Sequence, residues 1–69
     1  MSQNLSPREI EVMRALLRGG SNKVIARDLN IAVETVKVHM KAILRRLNAQ
    51  NRTHAAVLFH TQQLEDIGL

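Results

Sequence analysis

The feature that most constrains this chain is its punctuation. Within 69 residues, Gly19-Gly20-Ser21, Asn30-Ile31-Ala32 and Asn48 to Asn51 each carry signals that end one helix or start another. No helix between such breaks can run long, and short helices are marginal in water unless they pack on each other. The chain must therefore fold, if it folds, as several short helices around one shared core.

The segments can be read in order. Ser6-Pro7-Arg8-Glu9 opens the first helix: Ser6 can cap it, Pro7 suits the first helical position and Glu9 completes an S-x-x-E capping box. Ile10, Met13 and Leu17 recur at helical spacing, with Val12 and Leu16 widening the stripe. Ser21 caps the second helix, Asn22 to Leu29, which places Ile25, Ala26 and Leu29 on one face. Asn30 tolerates a left-handed backbone and marks a tight turn. The third helix runs from Val33 to Leu47, with Val33, Val36, Met40, Ile43, Leu44 and Leu47 in one apolar arc. Asn48 suits a left-handed C-terminal position. Asn51 can cap a fourth helix from Arg52 to about Leu64, whose apolar arc is Ala55, Ala56, Leu58 and Phe59. Nothing alternates as a strand would. The predicted fold is all-α, with four helices; residues 1–4 are a lead-in or linker, and residues 5–69 form one domain.

Composition narrows the function. A hydrophobic share of 45% supports a globular fold rather than disorder. With no cysteine there is neither a disulfide framework nor a thiolate metal site. One Phe, with no Tyr or Trp, excludes an aromatic stacking platform for single-stranded nucleic acid. Ten Lys and Arg against six Asp and Glu leave a net charge of +4, which suits a polyanionic partner. No apolar run approaches the roughly 20 residues of a membrane span. The N-terminus also lacks the features of a signal peptide, so a cytoplasmic protein without membrane contact is expected.

The second and third helices with the turn between them follow the helix-turn-helix plan, in which the first helix braces the second and the second enters the DNA major groove. Ala26 is small enough for a close crossing, and Ile25, Leu29, Ile31, Val36 and Met40 can seal the pair onto a core. On the outer arc of the third helix, Lys37, Lys41 and Arg45 make a ridge of cations with Val38 beside it. In a groove, Val38 could pack on a thymine methyl while the lysines reach guanine O6 and N7 or phosphate. The plainer alternative is a solvated basic helix face.

Other chemistry finds little support. His39, His54 and His60 do not share a face, and with no Cys or paired carboxylates nearby no metal site is expected. No set of nucleophile, base and orienting group stands at helical spacing, so no enzyme activity and no cofactor are expected.

Several ordered motifs make the resemblance to a family specific. Leu5-Ser6-Pro7-Arg8-Glu9, Gly20-Ser21-Asn22-Lys23-Val24-Ile25-Ala26 and Thr35-Val36-Lys37-Val38-His39 resemble the LuxR/FixJ-type helix-turn-helix DNA-binding domain. Ile43-Leu44-Arg45-Arg46-Leu47 and Asn51-Arg52-Thr53-His54-Ala55-Ala56 continue it over roughly residues 5–60. Within that family the chain is most similar to the C-terminal output domain of NarL-like response regulators. The resemblance implies a tetrahelical domain that binds double-stranded DNA as a homodimer and regulates bacterial transcription in a two-component system. Carried over by position, it makes Lys37, Val38 and Lys41 the base-reading residues, and Asn22, Lys23, Thr35, Arg45 and Arg46 the phosphate contacts. His39 would support the fold or touch a phosphate.

The fourth helix would supply the dimer contact. The Val57, Thr61 and Leu64 stripe there fits either a narrow partner-facing seam or ordinary apolar scatter, and such a dimer would be weak in the isolated domain. RNA polymerase is a further partner to be expected of such a regulator. Two departures stand out: Ala32 replaces the family's usual Ser or Thr at the cap of the third helix, and Asn48 replaces a common Gly. Nothing here resembles a receiver domain, so an excised output domain is expected. The rival reading from another class is a helical protein-interaction adaptor without DNA function, which would have no need of the basic ridge.

Overall fold

A computed structural model describes residues 5–66 and Gly68. The lead-in or linker expected at residues 1–4 lies outside the described residues. Four helices follow one another: α1 Pro7–Leu17, α2 Asn22–Leu29, α3 Val33–Leu47 and α4 Arg52–Asp66. The last is two residues longer than its pattern indicated, because Glu65 and Asp66 continue it beyond Leu64.

The caps form as their residue types dictate. Ser6 Oγ accepts from Glu9 N at 3.1 Å while Ser6 N donates to Glu9 Oε1 at 2.9 Å, closing the capping box. Ser21 Oγ accepts from Val24 N, and Asn51 Oδ1 accepts from His54 N at 2.8 Å. Asn30 and Asn48 take left-handed φ values of 58° and 56°. Just beyond them, the N–H groups of Ile31 and Ala49 turn back to Ala26 O and Leu44 O at 2.9 Å. Gly20 is crowded: a Cβ there would lie 3.1 Å from Ala15 O and from Ile25 Cγ1, so a neighbour would have to give by a few tenths of an ångström.

Only α3 starts without a side-chain cap among the helices whose starts are described. Ala32 offers its backbone oxygen to Thr35 N and Val36 N but nothing to the first free N–H groups. Ala32→Ser is expected to raise the unfolding free energy by about 1 kcal/mol. Urea melts followed by circular dichroism would check this, and an unchanged midpoint would show that water already satisfies those donors.

Val12, Met13, Ala15, Ile25, Ala26, Val36, Met40, Ile43, Ala55 and Phe59 form the buried core. Ala26 of α2 is part of this core, and Leu29, Ile31, Val33, Leu44 and Leu47 pack against it. On α1 the buried face is rotated from the stripe that hydrophobicity alone suggests. Glu9, only 4% exposed, lies on it, whereas Leu17 at the helix end is 38% exposed. A pattern of apolar residues cannot count a carboxylate as core, yet this one is buried because it is bonded. No described helix is long and apolar enough to cross a membrane.

Candidate nucleic-acid interface

The helix-turn-helix pair presents one face of α3 to solvent. Core burial of Val36, Met40 and Ile43 turns Glu34, Thr35, Lys37, Val38, Lys41 and Arg45 outward, and all six are exposed. Val38 is 67% exposed, the most exposed of the large hydrophobic side chains among the described residues. Lys37, Lys41 and Arg45 succeed one another at i, i+4 spacing along that face. Lys37 Nζ lies 3.4 Å from Glu34 Oε2 in a solvent-exposed pair. Such a pair contributes at most about 1 kcal/mol, so Lys37 can exchange it for a phosphate or a base edge. His39 is half-buried at the margin of the face.

The other sequence-predicted contacts divide into two kinds. Lys23 and Thr35 are exposed at the first turns of α2 and α3, where free N–H groups and the positive end of the helix dipole favour an anion. Arg46 and Asn22, by contrast, are held by the protein itself. Arg46 Nη1 donates to Glu9 Oε1 at 2.8 Å, tying the C-terminal part of α3 to the start of α1. Asn22 Oδ1 accepts from Arg52 Nη1 at 2.7 Å.

Arg52 was missed by sequence reasoning. Its Nη2 also donates to Gly20 O at 3.2 Å, so one guanidinium joins α4 to the loop before α2. These partners lie 30 and 32 positions away. Only the fold brings them together, and no local spacing announces them. His54 Nδ1 accepts from Gln50 N in the turn before α4, a local contact.

The stripe of Val57, Thr61 and Leu64 lies on α4, a different helix from the one that carries this face. Val57 is 57% exposed and Leu64 is 36% exposed, with Thr61 exposed between them on the outer side of α4. Ala55 and Phe59 of the same helix are buried.

A face of exposed cations around one exposed valine, on a helix braced by a short partner, is suited to a groove lined with phosphates and base edges. Comparison with known proteins agrees. Residues 3–59 match the model of the family described as bacterial regulatory proteins, luxR family. The nitrate/nitrite response regulator protein NarP of Escherichia coli is 48% identical over 59 residues, covering 86% of this chain and 27% of NarP. The nitrate/nitrite response regulator protein NarL of the same species is 40% identical over 60 residues, covering 87% of this chain and 28% of NarL. The transcriptional regulatory protein LiaR of Bacillus subtilis is 39% identical over 62 residues, covering 90% of this chain and 29% of LiaR. The chain thus spans less than a third of the length of these relatives.

Proposed function

Because this chain belongs to the luxR family of bacterial regulatory proteins, which bind DNA and regulate transcription, we propose that it reads an operator through the outer face of α3. The single observation that carries this reading is the exposed row of Lys37, Val38, Lys41 and Arg45 on the second helix of a helix-turn-helix. Phosphate contacts from Asn22, Lys23, Thr35 and Arg45 fix the register. Arg46, seated beside Glu9, extends the cationic edge at the end of α3. Lys37, Val38 and Lys41 choose the bases.

The exposed seam of Val57, Thr61 and Leu64 supports pairing of two copies on a two-fold-related site. The seam is narrow, so the pair is weak until DNA holds both members. The response-regulator relatives support a role as the output domain of a two-component regulator.

Retention of labelled genomic fragments at two salt concentrations, followed by sequencing, tests the reading. An enriched inverted repeat whose affinity falls steeply with salt is the expected result. Equal retention of all fragments would reduce the protein to a basic binder without sequence preference, and no retention at low salt would remove DNA altogether. Lys23→Ala is expected to weaken binding to every sequence alike and to flatten the salt slope by about one ion. Paired titrations on selected and scrambled duplexes check it, and a loss confined to the selected duplex would move Lys23 to the base-reading set.

A further inference from the structure

We propose that Arg52 is a positioning residue for the phosphate contact at the first turn of α2, acting through the side chain of Asn22. The inference rests on the reading above that Asn22 faces phosphate.

A guanidinium only donates, so the atom of Asn22 that lies 2.7 Å from Arg52 Nη1 is the carboxamide oxygen. That assignment fixes the other end of the amide as the NH2 group, and no acceptor is bonded to it among the described residues. The group is a donor beside Lys23 at the start of a helix, which is the polarity a phosphate oxygen requires. Left to rotate, the same amide could turn its oxygen outward, an acceptor facing an anion.

The geometry also fixes Arg52. Its Nη2 is spent on Gly20 O at 3.2 Å, in a tightly packed loop where a Cβ would meet Ala15 O at 3.1 Å. Its backbone begins α4 directly after the Asn51 cap. Arg52 and Asn22 are both half-buried, so this bridge is less screened than the exposed pairs on the surface. The ordering of the amide is thus supplied before DNA arrives and need not be met on binding.

The test is a double-mutant cycle read as affinity for one mixed-sequence duplex at low salt. Asn22→Ala, Arg52→Met and the double variant are compared with the parent, well below the melting temperature of each and with helical circular dichroism confirmed. Asn22→Ala and Arg52→Met are each expected to weaken binding by about five- to tenfold, and the double variant no more than Asn22→Ala alone. Arg52→Lys, which keeps the charge but lacks the planar fork, is expected to recover only part of the loss.

Two results with Arg52→Met overturn the inference. In one, Arg52→Met binds as the parent does. In the other, it costs as much in the Asn22→Ala background as in the parent, the mark of general loosening. Asn22→Ala binding as the parent does would remove Asn22 from the phosphate contacts, and this inference with it. Lys23→Ala and Lys41→Ala would still test the remainder of the reading.

Discussion

Arg46→Ala is expected to lower the unfolding free energy by about 2–3 kcal/mol, a large fraction of the whole for a domain of this size. The cause is Glu9. Its side chain is buried in α1, where Oε1 accepts from both Ser6 N and Arg46 Nη1. Removing the guanidinium leaves a buried carboxylate with the Ser6 N–H and little else. The figure is held below that for a fully buried pair because about half of the Arg46 side chain meets water, which screens the interaction. Glu9→Gln is expected to cost less, since the amide retains an acceptor for Ser6 N and carries no charge to leave behind. Arg46→Met combined with Glu9→Gln should recover part of the loss of Arg46→Ala. Urea unfolding of the four proteins measures all of this; a midpoint for Arg46→Ala within error of the parent would show that the pair contributes nothing.

Lys41→Ala is expected to weaken binding to the selected operator by about 1–3 kcal/mol, roughly five- to 150-fold, with a smaller loss on unrelated duplex. Lys41 stands at the middle of the exposed face, one turn from Lys37 and one from Arg45, and no described acidic group pairs with it. Its ammonium is therefore available without breaking a contact first, whereas Lys37 must leave Glu34. Unchanged affinity for the operator would place the reading face elsewhere on α3. An equal loss on every sequence would make Lys41 a phosphate contact.

What the sequence made legible follows the range of the interactions. Ser6 with Glu9, Ser21, Asn51 and the two left-handed asparagines act within a few residues of themselves, so their types and spacing announce them. The outer face of α3 was legible too, because the apolar arc of one helix determines what its other side exposes. Two things were hidden. The Glu9–Arg46 pair joins positions 37 apart, and the Arg52 bridge joins positions 30 and 32 apart, so neither leaves a local pattern. Glu9 lies on the buried face of α1 while Leu17 is 38% exposed, which an apolar stripe read by itself cannot show. The family resemblance makes Arg46 and Asn22 phosphate contacts; the fold also bonds both internally.

The outer face of α3 holds nothing that the core requires. Its one ion pair is solvent-exposed, and its side chains leave the packing of Val36, Met40 and Ile43 untouched. Substitutions at exposed positions of this kind usually change stability by less than about 0.5 kcal/mol. If Lys37, Val38 and Lys41 read the operator as proposed, duplicated copies of such a scaffold can drift to new operators at those positions without first acquiring compensating mutations elsewhere. A small domain with a thin margin of stability can then diversify what it recognises while preserving how it folds.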